Sequence, residues 1–83
     1  MTINNDEPKI HSSFDLSLVT TLSIFFPIKS IDRSNPRKAN FLFDQTPELS
    51  KFIEKYWNKQ IKVEPQQFFN QLKSIKTRIY AEN

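Results

Sequence analysis

No glycine occurs anywhere in the 83 residues. Glycine is the residue that takes a positive φ at little steric cost. A chain without it is expected to make every turn with φ negative. It also cannot build a glycine-rich phosphate loop or a dinucleotide fingerprint, which removes two large classes of nucleotide enzyme. Cysteine is absent as well, so disulfides and cysteine-ligated metal centres are excluded. A chain this short forms one domain near the lower size limit for folding without staples. Its core must then come from apolar packing, and eight Phe, one Trp and two Tyr are there to supply it.

The pattern of apolar residues gives an order of elements. Residues 1–12 are polar and aperiodic, and read as a flexible N-terminal tail. The domain is expected over 13–81. Ser13 reads as a helix cap with Asp15 in the first turn. Leu18, Leu22 and Phe25 recur at helical spacing, with Val19 and Phe26 widening the stripe, and Pro27 stops the helix near Phe26. "PIKSIDR" and "KANFLFD" read as two strands of a hairpin, joined by a loop of about four residues, "SNPR". Thr46 caps a second helix, with Pro47 at its first position and Glu48 in its first turn. Leu49, Phe52, Ile53, Tyr56 and Trp57 form its apolar face. Glu64 and Pro65 open a third helix, lined by Phe68, Leu72, Ile75 and Ile79. The predicted fold is α+β, helix–β-hairpin–helix–helix (α-β-β-α-α). The helices cover one face of the two-stranded antiparallel hairpin, which could not stand alone in water.

The order and its anchors resemble a family of small uncharacterised bacterial and phage proteins, a domain of unknown function. The residues that carry the resemblance are Asp15, Leu16 and Leu18 in the first helix, then Ile31, Arg33, Phe41, Phe43 and Asp44 in the hairpin. Leu49, Ile53 and Tyr56 match in the second helix. Val63, Pro65, Phe68, Leu72, Lys76, Ile79 and Tyr80 match in and around the third. The family usually has a glycine after its first helix, where this chain has Phe25-Phe26-Pro27, so that connection is expected to differ. The resemblance implies the fold and an association with bacteria and their mobile elements. It brings no activity.

Enzyme chemistry finds few candidates. The lone histidine, His11, stands in the expected tail, and a metal needs three or four convergent ligands. His11, Ser12 and Ser13 are sequence neighbours without a third group to orient a base. Asp15, Glu48 and Glu64 are explained as helix-start residues, and Asp32 and Asp44 as solvated hairpin flanks. We therefore expect a non-enzyme with no cofactor and no metal. Nothing at the N-terminus resembles a signal peptide, and Leu16–Ile28 is too short and too polar to span a bilayer. The expectation is a soluble, cytoplasmic protein without a membrane partner.

Charge points to an anion. From Phe14 to Tyr80 there are eleven Lys and Arg against six acids, a balance of +5. Lys29, Arg33, Arg37 and Lys38 are densest around the Asn-Pro turn, and Lys73, Lys76 and Arg78 would extend the patch if the last helix lies alongside. Phe41 and Phe43 alternate as base-stacking aromatics do, but a small sheet needs such rings for its core. Two functions follow. One is a non-catalytic nucleic-acid-associated protein that contacts phosphates through the basic loop and last helix. The other is a protein–protein interaction module, whether accessory subunit, inhibitor or homo-oligomer, prompted by the high aromatic content. It would use Tyr56, Trp57 or Tyr80 as interface rather than core.

Overall fold

The computed structural model describes residues 9–81. They form β1 (Ile10–Ser13), α1 (Leu16–Phe25), β2 (Ser30–Asn35), β3 (Lys38–Asp44), α2 (Pro47–Trp57) and α3 (Pro65–Tyr80). The class is α+β, with three helices and an antiparallel sheet, as expected. The sheet has three strands rather than two, in the order β1-β3-β2. The extra strand comes from the expected tail. Ile10 pairs with Asp44 and Ser13 with Phe41, and the Gln45 N–H extends the ladder to the Lys9 carbonyl at 2.8 Å. An edge strand is held by its backbone, so "IHSS" needs no apolar alternation to pair. Residues 1–8 of that expected tail lie outside the described residues.

Because Ser13 is drawn into β1, the helix cap shifts. Asp15 caps α1, accepting from the Leu18 N–H at 3.1 Å, while the Ser13 hydroxyl accepts from the Asp15 N–H. Pro27 follows the last turn, where it cannot continue a helix. Leu18, Val19, Thr20, Thr21 and Leu22 are all buried, so the middle of α1 is enclosed all round rather than along a stripe, while Ser17 and Phe25 near its ends stay exposed. Two of its hydroxyls are satisfied within the helix, whereas that of the buried Thr20 has no hydrogen-bond partner among the described residues. Thr21 donates to the Ser17 carbonyl and Ser23 to that of Thr20.

The hairpin turns on Pro36 and Arg37 alone, shorter than the expected four-residue loop. The Asn35 carboxamide oxygen accepts the Arg37 N–H at 2.9 Å and closes the turn. Ile31 pairs with Phe41 and Asp32 with Asn40, but Asn35 pairs with Lys38. Two residues, Arg33 and Ser34, thus oppose the single Ala39. This is a β-bulge, which bends the strand and re-aims its side chains. The Asp32 carboxylate accepts the Ser34 N–H at 2.9 Å within it.

Phe41 and Phe43 face the helices and are buried, and with Leu18, Val19, Leu22, Leu49 and Ile75 they make the core. Thr46 and Glu64 cap α2 and α3 as expected, on the N–H groups of Leu49 and Gln67. Tyr56 is half-buried and its hydroxyl bonds that of Ser17 at 2.7 Å. Trp57 was expected on the same core face, yet it is 58% exposed. Its ring lies edge-on to Tyr56 and borders an open groove with Thr21, Lys59, Ile61 and Val63 instead of entering the core. The α2 end also departs from the negative-φ expectation: Lys59 has φ 62°. No helix among the described residues is long and apolar enough to cross a membrane.

Candidate nucleic-acid interface

Arg33 decides the geometry of the basic end of the molecule. From its place in the bulge it donates to the carbonyls of Arg78 and of Ile79, the latter at 3.1 Å. The last carbonyls of a helix have no intrahelical partner and carry the negative end of its dipole. The guanidinium therefore caps α3 and ties its C-terminal end to the hairpin. A small hollow of about 100 Å³ forms at the junction, with Arg33, Asn35, Pro36, Arg37, Lys38 and Ile79 among its lining residues.

Of the seven residues singled out by sequence, Arg33, Arg37 and Lys38 line this hollow, and Arg78 joins them through its backbone carbonyl. The Lys38 ammonium stands 4.3 Å from the centroid of the Phe14 ring, a cation–π contact that leaves its charge uncompensated. Arg37 occupies the exposed turn itself. Lys73 and Lys76 are exposed on α3. They share a face with Tyr80, but Arg78 lies roughly 140° around the axis from Lys73 at 3.6 residues per turn. Lys73 and Lys76 therefore lie on a face of α3 turned away from Arg78. Lys29 is apart. It sits at the opposite end of β2, roughly 20 Å from the turn at about 3.3 Å per residue, and its ammonium bonds the Asp44 carboxylate at 2.9 Å. The expected cluster of Lys29 with Arg33, Arg37 and Lys38 is therefore not formed.

Among the described residues, Asp15 and Asp32 are the acids nearest this end. Asp44 and Glu48 stand where β3 leaves the sheet, and Glu64 opens α3 at its far end, about 24 Å along the axis at 1.5 Å per residue. Asp15 follows Phe14 and caps α1. Asp32 borders the bulge, and the Ser34 backbone N–H, then its hydroxyl, hold that carboxyl below its ordinary value. It stays ionised and keeps the bulge in shape.

Two aromatics are exposed near this end, Tyr80 on the face of α3 turned about 160° from Arg78. Tyr80 is 80% exposed beside Ile79, and Phe14 is half-exposed under Lys38. Sequence reasoning singled out Tyr80 and missed Phe14. The signal was the parity of Ile10, Ser12 and Phe14, legible only once β1 is known to be a strand. Phe41 and Phe43, the tempting stacking pair, are in the core and take no part. Among the described residues no group of His, Asp and Glu could hold a metal ion.

The fold and this end define a small α+β domain with a three-stranded antiparallel sheet, covered by helices on one face and cationic at the hairpin tip. The chain belongs to the family described as Domain of unknown function (DUF5659), which matches residues 8–81. No curated protein and no solved structure matches it significantly.

Proposed function

We propose that this is a non-catalytic, nucleic-acid-associated protein of the bacterial or phage cytoplasm that grips phosphates with its hairpin tip. The observation that carries the reading is the Arg33 tie between the bulge and the end of α3. It sets Arg37 and Lys38 beside the C-terminal end of α3, with the exposed Phe14 ring against Lys38. Cations at a protruding turn neutralise phosphates, and rings beside them stack unpaired bases. Contacts to phosphates carry no sequence information, so binding through them is sequence-tolerant.

The test is fluorescence anisotropy with labelled single-stranded DNA, duplex DNA and RNA at about 50 and 200 mM salt. Affinity should fall steeply with salt. The Arg37→Ala/Lys38→Ala/Arg78→Ala variant should flatten the log–log slope by about 2–3. Arg33 is left in place because its loss would disturb the cap as well as the charge. An absence of binding at the lower salt sinks the proposal.

A second reading, a protein-interaction module, is supported by the exposure of Phe25, Trp57 and Phe69, at 52%, 58% and 60%. Apolar surface left open on so small a domain suits a protein partner or a second copy. Sedimentation equilibrium over a wide concentration range tests the homo-oligomer form.

A further inference from the structure

Away from the tip lies a groove of about 380 Å³, lined by Thr21, Tyr56, Trp57, Lys59, Ile61 and Val63. That volume is within the range that holds small molecules. The buried Thr21 of α1 contributes from one side, the two rings from α2, and Ile61 and Val63 from the segment leading to α3. Tyr56 is fixed by its bond to Ser17, and the Trp57 ring stands edge-on to it at 5.0 Å.

Lys59 is the unusual member. The Gln60 N–H bonds the Lys55 carbonyl and the Lys59 N–H that of Tyr56, at 2.9 and 3.0 Å. This is the Schellman ending of a helix, whose left-handed position favours glycine or asparagine. Here it is lysine at φ 62°. The helix dipole does not explain the choice, since Lys55 already supplies a cation in the last turn. Among the described residues no carboxylate pairs with Lys59, and the one salt bridge is Lys29–Asp44. No acid lines the groove. An unpaired ammonium beside two rings and an aliphatic wall complements a planar ring that carries a negative charge.

We infer that this groove binds a small aromatic anion, with Lys59 as its charge partner and Trp57 against its ring. The site is separate from the hairpin tip and stands or falls independently of the nucleic-acid reading. Trp57 is the sole tryptophan, so its indole N–H gives one resolved NMR signal that reports on the groove directly. The probes are 2-naphthoate and its neutral analogue 2-naphthalenemethanol, titrated into the full ¹⁵N-labelled chain. For a probe of this size the naphthoate Kd is expected near 1 mM, to an order of magnitude. The alcohol should bind about tenfold more weakly, the worth of one charge-assisted contact. Lys59→Gly and Lys59→Asn both suit the left-handed position. Each should keep the spectrum of the folded chain and bring naphthoate down to the alcohol's affinity. An indole signal that naphthoate does not move at about 10 mM, ten times the expected Kd, overturns the inference. Equal affinity for the two probes in the natural chain overturns it too, as does full naphthoate affinity in either variant.

Discussion

Arg33 was legible in the sequence as a cation at a turn, and its main work is of another kind. Its side chain caps a helix that lies forty-five residues away along the chain, and no local pattern announces such a contact. Arg33→Ala removes donors from two helix-end carbonyls and should lower stability by about 1 kcal/mol, read as a shift in urea midpoint at unchanged slope. Arg33→Lys should recover only part of it, because an ammonium lacks the planar fork that reaches both oxygens. Asp32 gives a pH prediction. Its carboxyl is held below the ordinary 3.8 by the Ser34 N–H and hydroxyl. Its contribution to the fold is therefore present above that ordinary value and lost as pH falls through the lowered one. The Asp32 carboxyl carbon, followed by NMR, should titrate below 3.8; a midpoint at or above it would mean that the bulge does not use the charge. Lys59 shows the reverse kind of illegibility. The lack of glycine correctly forecast negative-φ turns everywhere else among the described residues, and the one exception is set by helix-ending hydrogen bonds that outweigh a local preference.

At the scale of elements, the best-read pieces are those that carry their own signals. Thr46-Pro47 and Glu64-Pro65 start α2 and α3 where they were expected, because capping is chemistry within a few residues. The Phe41-x-Phe43 alternation gave β3 and its buried face. β1 was not legible, since a four-residue edge strand takes its stability from the neighbour's backbone. α1 was placed, but the all-round burial of its middle was not, because burial depends on what surrounds an element. Deleting residues 1–13 removes β1, and should lower stability by on the order of 2–4 kcal/mol from its ladder bonds alone. Deletion with no change in urea midpoint would make β1 a dispensable appendage, as expected from the sequence for residues 10–12.

For the whole molecule, placement of charge matters more than its sum. Arg37→Gln and Lys29→Gln change the net charge equally. The first lies on the turn and the second is paired with Asp44 at the far end. If the tip grips phosphates, Arg37→Gln should weaken nucleic-acid binding several-fold and Lys29→Gln barely at all, at the same salt. Equal losses would mean a diffuse field rather than a site. The sequence supplied the seven cations. Their separation, with Arg33, Arg37 and Lys38 at the tip and Lys29 at the far end of the hairpin, comes from the bulge, the α3 cap and the strand register, which are tertiary facts.

The three strands do not assemble on equal terms. β2 meets β3 across two residues, whereas the β1–β3 ladder must join Ile10 to Asp44 around an intervening helix and strand. Loop-closure entropy favours the short connection. The hairpin is thus the early structure, and β1 is the last strand to close and the first to lift away. Each opening bares the free side of β3, a row of unpaired N–H and C=O groups that the β1 of another copy fits as well as its own does. Crowded solutions should therefore accumulate dimers that have traded their first strands, and the four residues that were hardest to see in the sequence would govern whether this domain keeps to itself.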